Sequence, residues 1–207
     1  MKMIKIECWI NPFNPYSLIA KSNLDKALAH LQLSTVEVEW KWFTDPIEQS
    51  FNSEGADSWS IQNYYATSFD QSEVWVSLLF EDFNRQLLGS DYSIDLEKIA
   101  LPHALQYSQY LKIAETLGQA SEFVDFLMLE FWQNNKELTE STVTAFFTEE
   151  AIISESVLEL VKDDFLLTEE LGISEAPMMI VNEEIGLCGI QPIEHLVEVI
   201  SMAQSDQ

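Results

Sequence analysis

Residues 4–24, IKIECWINPFNPYSLIAKSNL, decide the fold. Ile4, Ile6 and Cys8 fall on one face of an opening strand that runs from Met3 to Ile10. Asn11-Pro12-Phe13-Asn14-Pro15 is dense in turn formers and ends as a helix start. An asparagine at position 14 can accept from an unpaired N–H of the first turn, and Pro15 at the first helical position loses no hydrogen bond. From Tyr16 the apolar residues Leu18, Ile19, Leu24, Ala27, Leu28 and Leu31 recur with the helical period, predicting a helix that ends near Leu33. Val36–Phe43 (VEVEWKWF) then alternates, with Val36, Val38, Trp40 and Trp42 on one face of a second strand. Strand, helix and strand of these lengths make a βαβ unit with parallel strands and a right-handed crossover.

Beyond Pro46 the character changes. Ile47–Ser72 is polar and reads as a loop with a short helix near Ile61–Ala66. Helical spacing follows over Glu73–Leu88, Pro102–Leu117 and Ser121–Asn134, with Gly89 and Gly118 as stops, and then near Val143–Phe147 and over Ser154–Leu171 before Gly172. No fixed period relates these helices, so a solenoid is not indicated. The end returns to strands: Met178–Val181 and Ile185–Cys188 flank a turn at Asn182-Glu183-Glu184 and form an antiparallel hairpin, and Pro192 opens a last helix to Ala203.

Composition narrows the function. Over 207 residues, 47% apolar and 12% aromatic content suits a packed core. Ten Lys+Arg against 35 Asp+Glu give a formal charge of -25, which repels phosphate backbones and anionic lipid and argues against nucleic acid or a membrane surface as partner. The acids are dispersed, as solubility or salt adaptation requires; an acidic face that recruits a basic partner is the functional counterpart. Lys2, Lys5 and Glu7 interrupt the early apolar residues, so no signal peptide is expected, and no run approaches the roughly 18 apolar residues of a membrane span. Two cysteines, Cys8 and Cys188, are too few for a disulfide scaffold, and a reduced, cytoplasmic protein is expected.

The order βαβ, helical block, αββα resembles the DsbA family: an α/β, thioredoxin-like fold with an inserted all-helical domain. The nearest likeness is to its FrnE-like, dithiol-disulfide isomerase branch. Three stretches carry it. IKIECWINPFNPYSLIAKSNLDKAL is similar to the family opening of strand, Cys-Pro-Phe/Trp-Cys-Tyr-x-Gly-Lys and helix; VEVEWKWF followed by Thr44-Asp45-Pro46 is similar to its second strand; GISEAPMMIVNEEIGLCGIQP at Gly172–Pro192 looks like its cis-proline loop, hairpin and Gly-x-Gln-Pro turn. The resemblance implies a first thioredoxin half at residues 1–46, a helical insertion at 47–152 and a second half at 153–207.

Aligning Ala20-Lys21-Ser22-Asn23-Leu24 with the family's Gly-Lys-x-x-Leu puts Asn14 at the nucleophilic cysteine, Pro15 and Tyr16 in the dipeptide, and Ser17 at the resolving cysteine. Disulfide exchange needs a thiolate at the attacking position, and an asparagine amide is not a nucleophile. A Ser17 hydroxyl needs a base. The three histidines are poor candidates: His30 lies about 20 Å along the same helix, His195 is on the last helix, and His103, inside the insertion, reads with them as a surface or packing residue rather than as that base. In a thioredoxin arrangement Cys8 and Cys188 sit two strands apart, roughly 9.5 Å, so they read as small core residues rather than a disulfide.

What the resemblance leaves is a binding groove lined by Asn14, Pro15, Tyr16, Ser17, Ala176 and Pro177, with no catalytic residue, metal or cofactor assigned. It implies a peptide or protein partner held at the cis-proline loop or on the helical block, an adaptor role included. The alternative is a glutathione-dependent, non-redox enzyme: kappa-class glutathione transferases and hydroxychromene-carboxylate isomerases have Ser-Pro-Tyr/Phe where this chain has Asn14-Pro15-Tyr16. Against it stand the Asn14 replacement and the few cations available for glutathione's carboxylates. Oxidoreductase activity, as the family name implies, is the third reading.

Overall fold

The computed structural model describes residues 3–33, 35–43, 59–88, 92, 94–95, 100–101, 105–134, 136, 138–147 and 152–205. The chain divides into two compact units, Met1–Phe43 with Asp163–Gln207, and Thr44–Lys162. Among the described residues no helix is long and apolar enough to cross a membrane.

The first unit is built on a four-stranded sheet ordered β2-β1-β5-β6, with β1 at Ile4–Ile10, β2 at Val36–Trp42, β5 at Met178–Val181 and β6 at Ile185–Cys188. β1 and β2 are parallel, Ile4 against Val36 and Ile10 against Trp42, joined through helix α1 at Pro15–Leu31. β5 is antiparallel to both β1 and β6. Strand alternation gives the sheet two unlike faces. One carries Ile4, Ile6, Cys8 and Ile10 with Trp40, Trp42, Met179, Val181 and Leu187, all buried; removing each large side chain from water contributes about 1.5–3 kcal/mol.

α1 covers that face, packing against helix α8 at Ile193–Ser205, which also reaches β1. α1 is not simply amphipathic, because Ser17, Lys21 and Ser22 lie among its buried residues. Lys21, only 4% exposed, is tolerated because its ammonium pairs with Asp25 at 2.7 Å and sits 5.6 Å over the Trp40 ring. The opposite face is mixed: Lys5 pairs with Glu39 at 3.2 Å and Glu7 at 3.4 Å, Lys41 lies 3.6 Å from Asp164 of helix α7 (Glu155–Leu171), and Trp9 is fully buried.

In the second unit helices α2 (Ile61–Ser68), α3 (Glu73–Gln86) and α6 (Glu140–Thr144) each start at a hydroxyl cap: Ser60 accepts from Asn63 N at 3.1 Å, Ser72 from Trp75 N at 3.3 Å, and Thr139 from Thr142 N at 3.2 Å. Helix α4 spans Leu105–Thr116 and α5 Ala120–Met128. Two features depart from the expectation of an all-helical insertion with uninterrupted helices. Trp59–Ser60 (β3) pairs antiparallel with Ala100–Leu101 (β4). The helix expected over Ser121–Asn134 widens after α5 into a π segment, Leu129–Gln133, where Asn134 N reaches Leu129 O at 3.0 Å. Glu130 fastens that segment by accepting from Asn134 Nδ2 at 2.6 Å and from the Lys136 ammonium. The expected loop over 47–58, the Gly89 stop and His103 lie outside the described residues.

Candidate functional site

The site region begins where β1 ends. Asn11 is 2% exposed, and its side-chain oxygen accepts from Phe13 N at 3.0 Å while its carbonyl accepts from Asn14 N at 2.9 Å, closing a tight turn. Phe13 is buried edge-on to Trp42, ring centroids 5.9 Å apart. The turn delivers Asn14 in extended geometry (φ -100°, ψ 122°), where its Oδ1 accepts from Tyr16 N at 2.8 Å and its carbonyl from Leu18 N at 3.1 Å. Pro15 follows at the helix start, so the residues at 14 and 15 do what their chemistry predicts.

Ser17 faces inward. It is 0% exposed, and its Oγ accepts from Asn11 N at 3.2 Å, tying the turn back onto the first turn of α1. Asn14 and Tyr16 are half-buried and Pro15 is buried. The importance of Asn11 was not read from the sequence; its signal is an asparagine two residues before Phe13 at a strand end, the pattern of an Asx turn.

The register places a second loop beside this one. Trp9 is opposite Met178 in the β1–β5 ladder, so the residues after Ile10 and those before Met178 leave the same end of the sheet. The Ala176–Pro177 bond is cis, Pro177 is buried and Ala176 half-buried, and the Pro177 carbonyl accepts from Gly189 N at 2.8 Å. Gly186 leaves room for Met178, since a Cβ there would sit 2.9 Å from the Met178 methyl. Asn14–Ser17 and Ala176–Pro177 thus share one end of one sheet.

The two cysteines differ, which corrects the expectation that both are core residues. Cys8 is fully buried, and burial, with the Asp25 charge adding to it, holds its thiol protonated far above the ordinary range. Cys188 is exposed. It ends the edge strand β6, where Leu187 turns inward and residues 186 and 188 turn outward. Its thiol donates to Glu175 Oε1 at 2.8 Å, and that hydrogen bond, then burial, pushes its pKa up. Neither cysteine forms a disulfide. His30 and His195 are exposed, and His195 Nδ1 lies 2.9 Å from Gln191 Oε1. Among the described residues no cluster of His, Cys, Asp or Glu is arranged to hold a metal ion.

No family model matches the chain. No curated protein matches it by sequence. Solved structures do resemble it. A probable DsbA oxidoreductase from Streptomyces coelicolor superposes with a TM-score of 0.79 at 15% identity, covering 99% of this chain and 91% of that one. A candidate protein disulfide isomerase from Nitrosomonas europaea gives 0.71 at 8% identity, covering 100% of both chains. A 2-hydroxychromene-2-carboxylate isomerase gives 0.63 at 13% identity, covering 97% of this chain and 95% of that one. With the sheet order, the helical insertion and these likenesses, the chain has the DsbA-like thioredoxin fold.

Proposed function

We propose that this chain is a thioredoxin-fold protein that binds a peptide or protein segment at its cis-proline loop, without dithiol turnover. One observation carries the reading: both positions aligned with a CxxC pair are committed to internal hydrogen bonds, Asn14 to Tyr16 N and Ser17 to Asn11 N, and neither carries sulfur. A fold that keeps the loop pair while replacing its reactive atoms retains recognition more readily than redox chemistry. The occupant is an extended segment that offers backbone hydrogen bonds beside Ala176–Pro177, in a reducing compartment compatible with two unpaired thiols. Insulin reduction by dithiothreitol, followed as turbidity, tests it. The protein should leave the rate at the uncatalysed value, whereas catalytic turnover at substoichiometric protein would sink the reading.

A second reading has one observation in its favour, the likeness to the hydroxychromene-carboxylate isomerase along nearly the whole chain. Here the α1 N-terminus and Asn14 would orient a glutathione thiol for a non-redox isomerisation or transfer. Calorimetry with glutathione separates the two: saturable heat at millimolar ligand or below supports the enzyme, and none removes it.

A further inference from the structure

On helix α3 the core contacts come from Val76, Phe80 and Phe83, a narrow stripe that packs into the second unit. At about 100° per residue, Val74 and Leu78 project from the opposite pole of the same helix. They are 71% and 58% exposed. Beside them Phe69, 46% exposed at the end of α2, meets the half-buried Trp75 with ring centroids 5.5 Å apart, and Phe69 in turn stacks on the buried Tyr65 at 5.8 Å. Single exposed apolar residues are ordinary; here an i, i+4 aliphatic pair shares its helix with Trp75, whose ring meets Phe69 on the buried Tyr65, a grouping of the kind that marks interaction sites.

Its rim identifies the occupant. From Ile61 to Gln86 the acids are Asp70, Glu73, Glu81 and Asp82, and the only cation is Arg85, already bound to Asp82 at 2.9 Å. A second copy of this chain would bring the same acidic rim and a further charge of -25, and an anionic lipid surface is repelled for the same reason. We propose that the Val74–Leu78 ridge with Phe69 and Trp75 docks a cationic amphipathic helix of another protein. Its apolar face lies along the ridge, and its lysines or arginines meet Glu73, Glu81 and Asp70. Trp75 and Phe69 act as the buried anchors, and the acids set orientation and association rate. The proposal does not rest on occupancy of the cis-proline loop.

A dye-labelled synthetic Leu/Lys amphipathic peptide of about four helical turns, titrated against the full chain by fluorescence anisotropy, tests this. The Val74→Ser/Leu78→Ser variant keeps every charge and alters only exposed side chains, and circular dichroism checks its fold. Wild type should bind the amphipathic peptide at least about tenfold more tightly than the double variant does, and more tightly than a scrambled peptide of equal charge. Equal affinity for the double variant or for the scrambled peptide would mean unspecific charge attraction and would overturn the proposal. A wild-type dimer in sedimentation that the double variant abolishes would assign the ridge to a second copy and overturn it equally.

Discussion

Cys188, the last residue of β6, donates its thiol proton to Glu175 Oε1 at 2.8 Å, two residues before the cis-proline. An exposed thiol is normally a ready nucleophile through its thiolate. Here the bond to Glu175, then burial, then the carboxylate's charge all raise its pKa and keep it protonated near neutrality. Slow alkylation is therefore expected at pH 7–8, rising about tenfold per pH unit while the thiolate remains the minor form. Glu175→Gln removes the charge, lowers the thiol pKa and accelerates alkylation roughly two- to tenfold. Mass spectrometry of iodoacetamide-treated native protein measures this, with fully buried Cys8 as the internal control that reacts only after unfolding.

Asn14 and Ser17 should separate under mutation. Asn14→Ala removes a cap from a half-buried position and costs about 1 kcal/mol. Asn14→Asp keeps the acceptor and places a charge at the positive end of α1, a gain that the overall -25 partly cancels, leaving a change within about 0.5 kcal/mol. Ser17→Ala leaves the buried Asn11 N–H without its Ser17 acceptor and costs about 1–3 kcal/mol. Urea unfolding ranks the three. Asn14→Ala exceeding Ser17→Ala would contradict the bracing role of Ser17.

The start of α1 was legible because capping is local chemistry: Asn14 and Pro15 announce the helix before any tertiary contact is known. The β5–β6 hairpin was legible for the same reason. Cys188 was not, because a hairpin's register does not say which strand is the sheet edge or which face a helix covers. The Trp59–Ser60 pairing with Ala100–Leu101 spans two residues on each side, too short for any period to register. The widening at Leu129 is hidden because the apolar spacing around Phe126, Leu127 and Phe131 fits one continuous helix as well as an α-helix entering a π turn. At the site, the sequence alignment marks Ser17 only as the residue at the resolving-cysteine position; that its hydroxyl is a fixed acceptor six residues from its donor is a tertiary feature no local pattern announces.

Introducing a cysteine pair tests whether positions 14 and 17 stand in dithiol geometry. In Asn14→Cys/Ser17→Cys the first thiol would occupy the half-buried cap position, where N–H groups and the helix dipole stabilise a thiolate, and the second the buried position behind it. The variant is expected to lose two titratable thiols on mild oxidation and to regain them with dithiothreitol. In its reduced form, the thiol at position 14 should titrate below the ordinary value near 8.5. Ultraviolet thiolate absorbance against pH reads both. Failure to form the bond in folded protein would show that the turn from Asn11 to Asn14 does not hold the two positions in dithiol geometry.

The hairpin after the cis-proline holds a strain that substitution can release. Asn182 (φ 52°) and Glu183 (φ 61°) are both left-handed, and Glu184 N closes the turn on Val181 O at 3.1 Å. Asn182 belongs there: its side chain accepts from Lys5 N at 3.0 Å and its own N–H donates to Lys5 O at 2.8 Å, sealing β1 to β5. Glu183 makes no such local compensation by residue type, and left-handed geometry costs a non-glycine residue about 1–2 kcal/mol. Glu183→Gly removes that cost and loses about 0.5–1 kcal/mol to the freer unfolded chain, so a net gain of about 0.5–1 kcal/mol is expected. Removing one acid also lightens the self-repulsion of a chain at -25, in the same direction. Asn182→Ala must move the other way, since it keeps the left-handed demand and deletes the acceptor for Lys5 N. Thermal melts of the two variants at one ionic strength decide: a lower midpoint for Glu183→Gly would mean that the glutamate side chain holds the turn.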